Sequence, residues 1–210
     1  ASKIKPNWSL PYIGIGETKR EMRQYEEALT NFQKAIKLDP TNNQAYTNLG
    51  CTLKKLGQYK DALVALEKSL ELDSNSENTQ HCLGTVFLSL TRYQEALEIF
   101  QNLLARCSDN PQFHLSVGHA YLGLKQYNKA DESLKNALEL AGNEVPAVMV
   151  AQANKHLQLG HYQQALRVFN KALELDPQNP FAFNGCGDVY FQLNNLEQSA
   201  IAYHQAIKCD

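Results

Sequence analysis

The sequence predicts an all-α fold built from repeated helix–turn–helix units, and three observations support that prediction. A Tyr-x-x-Ala phrase recurs at intervals of 34 or 35 residues, glycine and proline fall at regular places within each interval, and no segment alternates apolar and polar residues with a period of two. Repeats of this length are typical of stacked helical hairpins. The 210 residues therefore divide into six copies of one unit.

The Tyr-x-x-Ala phrase fixes the register of the copies. It begins at Tyr25, Tyr59, Tyr93, Tyr127 and Tyr162, and Leu196 opens a degenerate sixth phrase. We expect an N-terminal extension over residues 1–8, followed by repeats over 9–42, 43–76, 77–110, 111–144, 146–179 and 180–210. Val145 is then an added residue between the fourth and fifth repeats.

The first helix of each copy is predicted from its start and its end. Pro111, Pro146 and Pro180 open three of these helices, at a position where the missing N–H of proline breaks no helical hydrogen bond. A connector such as Leu159-Gly160-His161 closes the helix, because glycine suits a helix C-terminus that turns sharply.

The second helix follows the Tyr-x-x-Ala phrase and carries one apolar stripe. Ala28, Phe32 and Ala35 are spaced by four and three residues, which is the period of an α-helix, and equivalent residues recur in every copy. The helix is expected to end before Asp39-Pro40 or Asp176-Pro177, because proline disfavours helical backbone at the preceding residue.

The pattern resembles the tetratricopeptide repeat family over residues 9–210. The shared positions are a glycine in the first helix and, in the second helix, the Tyr-x-x-Ala phrase followed by Phe or Leu and then by Ala. The resemblance implies a right-handed α-solenoid whose first helices line a concave groove. It also implies a protein-interaction scaffold that binds an extended peptide or a helix of a partner. The chain departs from the family at the opening Trp slot, which holds Tyr12, Tyr46, Gln80, His114, Met149 and Phe183.

We call the positions of a repeat slots and number them from the first residue of that repeat. The second, fifth, ninth and twelfth slots, which lie in the first helix, are expected to face that groove. The twelfth slot changes from basic to apolar along the chain, so its apolar half is either a binding track for a partner or a surface packed against the next repeat. The amides at 154 and 184 are expected to bind a partner main chain or to be solvated. The predicted peptide-binding residues are Lys54, His81, Thr85, Leu88, Leu115, His119, Leu122, Val150, Asn154, Leu157, Asn184, Asp188 and Phe191.

One binding mode of the family is not expected here. Relatives that grip the acidic tails of chaperones use a set of Lys, Asn and Arg side chains, whereas the matching slots of this chain hold Ile13, Glu17, Asn48, Asn78 and Cys82. Only Asn48 fits, and Glu17 would repel a carboxylate. We therefore expect no such clamp.

Catalytic, metal-binding and cofactor-binding patterns are not found. The six histidines are scattered, and His114 and His119 are five residues apart, which is off the helical spacing that would let them share a metal ion. The sequence contains no glycine-rich phosphate loop and no nucleophile elbow. We expect a protein that is not an enzyme and that has no metal and no cofactor.

Composition limits the partners. The chain has 20 Lys and Arg against 22 Asp and Glu, so no basic surplus favours nucleic acid, and no apolar run is long enough for membrane insertion. The five cysteines are an odd number without a C-x-x-C pair, so we interpret them as reduced thiols. This interpretation favours a reducing compartment, the cytoplasm.

The sequence thus predicts a scaffold that binds a peptide or helix segment of a partner protein in its groove. Two alternatives remain open at this point. The chain could be a self-assembling structural scaffold that forms homo-oligomers through uncapped ends, or a non-catalytic targeting arm of a larger protein.

Overall fold

The computed structural model describes residues 8–142 and 145–209, and all regular secondary structure in these ranges is α-helical. This confirms the predicted all-α class of helix–turn–helix units. None of the described helices is long and apolar enough to cross a membrane. The helices are α1 (Ser9–Glu21), α2 (Tyr25–Leu38), α3 (Asn43–Lys55), α4 (Tyr59–Leu72), α5 (Glu77–Ser89), α6 (Tyr93–Arg106), α7 (Pro111–Gly123), α8 (Tyr127–Ala141), α9 (Pro146–Gln158), α10 (Tyr162–Leu175), α11 (Pro180–Gln192) and α12 (Leu196–Cys209).

The chain forms two compact units, Ala1–Leu103 (unit 1) and Leu104–Asp210 (unit 2). In unit 1, α1 pairs with α2 and α3 with α4, and the first helices α1, α3 and α5 contact each other in series. In unit 2, the pairs are α7 with α8, α9 with α10 and α11 with α12, and α7, α9 and α11 contact each other in series. Within each unit, the first helices of successive hairpins therefore lie side by side.

Three of the first helices start at the predicted prolines. Four of the first helices also have a capping side chain before the first turn, which the repeat pattern did not predict. Pro111, Pro146 and Pro180 are the opening residues of α7, α9 and α11. The residue before the helix acts as a cap, because its side chain accepts a hydrogen bond of 2.9–3.4 Å from a backbone N–H of the first turn. These capping residues are Asn42, Ser76, Asn110 and Asn179. The predicted N-terminal extension lies outside the described residues, apart from the exposed Trp8.

The turns inside the hairpins use left-handed backbone at one residue. Gly57 and Gly160 have φ values of 72° and 74°, as the predicted connectors require. The equivalent turns of other hairpins place a non-glycine residue there, with φ of 57–59°, at Arg23, Thr91, Lys125 and Asn194. The turn therefore has the same left-handed geometry in hairpins whose turn residue is not glycine.

Each hairpin core depends on a close approach between a small and a large residue. A Cβ atom added to Gly84 would lie 2.5 Å from Cε1 of Phe100, and one added to Gly118 would lie 2.7 Å from Cδ2 of Leu134. Phe100 and Leu134 are fully buried. The glycine slot and the Phe or Leu slot that recur in the sequence are therefore the two sides of one contact between the paired helices.

A buried hydroxyl cluster links α3, α4 and α5 in unit 1. The hydroxyl of Thr47 lies 2.8 Å from that of Ser69 and 2.6 Å from that of Thr79, and Ser69 also donates to the carbonyl of Asn43. All three hydroxyl residues are buried. The polar groups inside this part of the core are thus hydrogen-bonded to one another, as buried polar groups must be.

Two glycines of the first helices provide a test of the packing. A Cβ atom added to Gly185 in α11 would lie 2.1 Å from Cζ of the buried Phe169, whereas one added to Gly14 in α1 has nothing within 4 Å among the described residues. Replacing Gly185 by alanine is expected to destabilise the fold by about 1–2 kcal/mol, because overpacking costs ~1–3 kcal/mol and alanine regains part of it through helix propensity.

Gly14→Ala is the matched control, since Gly14 occupies the same repeat slot, and it is expected to be neutral or to stabilise by up to about 1 kcal/mol. Thermal melting of the two variants, followed by circular dichroism, measures the difference. Equal melting temperatures for the two variants would contradict the assignment of Gly185 to a close helix–helix contact.

Candidate functional site

A polar groove of about 600 Å³ in unit 1 is formed by the neighbouring first helices α1, α3 and α5. Its walls carry amides, hydroxyls and charged groups that come from three successive repeats. The lining residues are Glu17, Arg20, Asn43, Gln44, Thr47, Asn48, Cys51, Lys54, Ser76, Asn78, His81, Cys82 and Thr85. Three of the predicted binding residues, Lys54, His81 and Thr85, lie together here.

A hydrogen-bond network connects α1 and α3 in this groove. Asn48 donates through Nδ2 to Oε1 of Glu17 at 2.8 Å and accepts at Oδ1 from Nη1 of Arg20 at 3.0 Å. Gln44 also donates to Oε1 of Glu17, at 3.2 Å. The Glu17 carboxylate is therefore held by two amides, and the orientation of the Asn48 amide is fixed by partners on both sides.

Lys54 is the second cation of the groove. Its side chain is half-buried, and Nζ donates to Oγ1 of Thr85 at 2.8 Å, while Thr85 in turn donates to the carbonyl of Cys82. Within the part of the chain that the structure describes, Lys54 forms no ion pair. Burial, assisted by the charge of the neighbouring Lys55, lowers the pKa of Lys54 to about 8.

His81 contributes no charge to the groove at neutral pH. The ring is half-buried and packs against Phe100, with the ring centroids 5.7 Å apart. Burial first, and then the positive charge of Lys54, lower the pKa of His81 to about 4. The charged side chains of the groove lining are therefore Arg20, Lys54 and Glu17.

The side chains of Cys51 on α3 and Cys82 on α5 meet in the groove wall. Their Cα atoms are 6.1 Å apart, which is close enough for a disulfide. The two residues are 31 apart in the sequence and meet because α3 and α5 are neighbouring helices. The interpretation of the five cysteines as reduced thiols stays a prediction.

Several predicted groove residues of unit 2 are buried. Leu115, Leu122 and Val150 are 5%, 5% and 7% exposed. Leu115 and Leu122 belong to the core that also contains Val148, and Val150 belongs to the core around Phe169. These three side chains offer little surface to a partner, and they pack between neighbouring repeats, which was the second interpretation of the apolar slots. His119 is half-buried, and burial lowers its pKa.

Other predicted residues of unit 2 come together around a cavity of about 620 Å³. Leu157, Asp188 and Phe191 all line it, and Phe191 is 57% exposed. Asp188 is held by two hydrogen bonds, from the hydroxyl of Tyr203 at 2.7 Å and from Nδ2 of Asn184 at 3.4 Å. This cavity keeps part of the predicted apolar surface accessible.

The remaining two predicted residues lie apart from these cavities. Leu88 is half-buried near the end of α5 in unit 1, and Asn154 is half-buried in α9 of unit 2. Neither of them lines the polar groove or the 620 Å³ cavity.

The predicted binding residues include Lys54, His81 and Thr85 of the polar groove but not Asn48, which occupies the sixth slot and is central to the network with Glu17 and Arg20. The available signal was its partial match to an asparagine of the chaperone-tail clamp. In the described ranges, no group of three or more His, Cys, Asp or Glu side chains is arranged to hold a metal ion.

Comparison with known protein families gives two matches. The family described as "TPR repeat" matches residues 16–57 and 153–194. The family described as "Anaphase-promoting complex, cyclosome, subunit 3" matches residues 55–137. No protein with a curated description matches the sequence significantly.

Solved structures of tetratricopeptide repeat proteins resemble the chain. A chain of the APC/C hetero-tetramer Cut9–Hcn1 aligns with a TM-score of 0.78 and 17% identity over 99% of this chain, which spans 41% of that longer chain. TTC0263 of Thermus thermophilus, described as a thermophilic TPR protein, aligns with a TM-score of 0.71 and 22% identity over 80% of this chain and 91% of its own.

YrrB, described as a TPR protein with an unusual peptide-binding site, aligns with a TM-score of 0.53 and 26% identity over 85% of this chain and 92% of its own. The repeated hairpins, the glycine and tyrosine slots, the family matches and the structural neighbours agree with one another. The chain belongs to the tetratricopeptide repeat family.

Proposed function

We propose that the chain is a protein-interaction scaffold and that the polar groove of unit 1 binds an extended segment of a partner protein. The observation that carries the proposal is the convergence of hydrogen-bonding side chains from three successive first helices on one groove. Tetratricopeptide repeat proteins are generally non-catalytic scaffolds, and we propose the same for this chain.

The chemistry of the groove suits a peptide main chain. An amide side chain offers both a donor and an acceptor, which matches the alternating N–H and C=O groups of an extended segment. Gln44 and Asn78 are amides on α3 and α5 that are not buried, and both line the groove. The network of Glu17, Arg20 and Asn48 holds the groove wall in one arrangement before a partner arrives, which reduces the entropy that binding must overcome.

Two of the comparisons support this proposal. The description of YrrB includes a peptide-binding site, and the identity to this chain is 26%. The matched family over residues 55–137 is a subunit of a multi-protein complex. We infer from both that the partner is a protein, and that the chain serves within an assembly.

The first test of this proposal uses peptides that bind the whole chain. They are selected from a displayed library of random twelve-residue sequences. Replacing Gln44 and Asn78 together by leucine is expected to weaken binding of the selected peptides by about tenfold or more, because each lost amide–main-chain hydrogen bond contributes ~0.5–1.5 kcal/mol. Fluorescence anisotropy of labelled peptides measures the change.

Gln33→Leu is the matched control, since Gln33 is an exposed amide of α2 that does not line this groove. It should leave binding unchanged. Peptide binding that survives the double variant and is lost in Gln33→Leu would place the binding surface at the separate cavity that Gln33 lines. A library that yields no binding peptide would contradict the proposal itself.

A second candidate function is self-association through α12. Ile201 and Ile207 are 47% and 72% exposed on this helix, and Leu196 at its start is 59% exposed. Leu196 and Ile207 are three helical turns apart and therefore share one face of α12, and an exposed apolar face of this kind is a candidate interaction surface. A second copy of the chain is the occupant that this candidate specifies.

Sedimentation velocity over a range of protein concentrations tests self-association. We expect a concentration-dependent shift from monomer to dimer, and we expect Ile207→Glu to abolish the shift by placing a charge in the contact. The exposed Lys37 of α2 gives the control variant Lys37→Glu. A single monomer peak at all concentrations would exclude this candidate and leave the adaptor function.

A further inference from the structure

Building on the proposed function, we propose that the polar groove of unit 1 selects a partner segment with an acidic side chain, Asp or Glu, and that Lys54 binds this carboxylate. The groove would then have two kinds of contact. Amide side chains would bind the main chain of the partner whatever its sequence, and Lys54 would bind an Asp or Glu side chain at one position of the partner segment.

The charge pattern of the groove leads to Lys54. Arg20 donates to Asn48 and lies 3.8 Å from the carboxylate of Glu21, and the Glu17 carboxylate accepts from two amides. Lys54, in contrast, has a neutral hydroxyl as its hydrogen-bond partner and no ion pair within the described residues. An ammonium has three donors, so two of them remain for a ligand.

The burial of Lys54 gives a reason for a carboxylate to bind there. A half-buried ammonium has lost part of its hydration, and a neutral hydroxyl compensates for it less well than an anion does. A carboxylate that enters the groove would form a charge-assisted hydrogen bond, which is shorter and stronger than a neutral one. The lowered pKa of Lys54 agrees with this, because it indicates that no nearby anion among the described residues stabilises the charged form of the side chain.

The remaining groups of the groove favour a single acidic side chain over a polyanion. The lining has two cations and one anion, Glu17. The Glu17 carboxylate is held at Asn48, six residues and about 9 Å along α3 from Lys54, so it repels a carboxylate at Lys54 less than a second negative charge closer to Asn48. His81 is neutral near pH 7 because of its low pKa. Nucleic acid is bound through many cations along a backbone, and this lining lacks them.

This site differs from the clamp for chaperone tails in its residues. That clamp is not expected because only Asn48 fits its matching slots and Glu17 would repel a carboxylate bound at its own slot. Lys54 lies at the twelfth slot of its repeat, next to Thr85 of the following first helix. The proposed ligand is therefore one acidic side chain within a segment, and a terminal carboxylate is not required.

The test compares pairs of display-selected peptides that differ by one Glu→Gln change. On the unaltered chain at pH 7, the glutamate form is expected to bind about tenfold or more tightly than the glutamine form. In Lys54→Gln, the two forms should bind equally well. Lys55→Gln is the matched control, because it removes the same charge from the next, exposed residue of α3 and should keep the preference.

The pH dependence gives a second readout on the unaltered chain. Lys54 binds a carboxylate in its protonated form and its pKa is about 8, so the preference for the glutamate peptide should be full near pH 7 and fall as pH rises above 8. Among the charged and titratable groups near Lys54, the charge of Lys55 on α3 lowers the pKa of Lys54, and the charge of Lys54 lowers the pKa of His81 on α5. Glu17 and Arg20 of α1 line the same groove. The helices α2 and α4 add no residue to this lining.

The two proposals fail in different ways. Peptides that bind through Gln44 and Asn78 but show no acidic position, or a preference that survives Lys54→Gln, would overturn the role of Lys54 and leave the scaffold function intact. A library that yields no groove-binding peptide would overturn both. Circular dichroism of Lys54→Gln verifies that the variant is folded, and the peptide pairs on the unaltered chain test the preference without any variant.

Discussion

The close contact between a small residue of the first helix and a large residue of the second is the constraint on which the rest of the structure depends. In unit 1, Gly16 meets Phe32 and Gly84 meets Phe100, with no space for a Cβ atom between them. This contact uses one face of the first helix, and contacts to the neighbouring hairpins use another. The face that remains is the one that lines the groove.

The polar groove follows from this arrangement and from the residues that the remaining face carries. Three first helices that lie side by side bring Glu17, Asn48 and Lys54 to one surface, although these residues come from different repeats or turns. The whole chain has a net charge of only -2, and that value conceals a groove in which one cation has no carboxylate partner among the described residues. Local pairing, not net charge, determines which charged groups of the groove lack a partner of opposite charge among the described residues.

The sequence predicted the helices well because their signals are local. The proline starts, the turn glycines such as Gly57 and the apolar stripe of the second helix each depend on a few neighbouring residues. Slot position predicted the direction of a side chain but not the depth of its burial. Leu122 and Val150 occupy slots assigned to the groove, and the packing of the next repeat covers them.

Features that join different repeats could not be derived in this way. The contact between Cys51 and Cys82 depends on which residues face each other across separate helices, and so does the hydroxyl cluster of Thr47, Ser69 and Thr79. Periodicity shows that two slots are neighbours, but only coordinates show that their side chains meet. Asn48 is an example: its partial match to a known binding pattern can be read from the sequence, but only the coordinates show that its amide joins Glu17 and Arg20.

Site-specific photo-crosslinking tests most directly whether the polar groove of unit 1 is the binding surface. A benzophenone amino acid is incorporated at position 78 in the groove and, in a separate sample, at position 33 on α2, and each protein is irradiated with a labelled display-selected peptide. We expect a covalent adduct at position 78 and none at position 33. Adducts at position 33 alone, or equal adducts at both positions, would contradict binding in the groove.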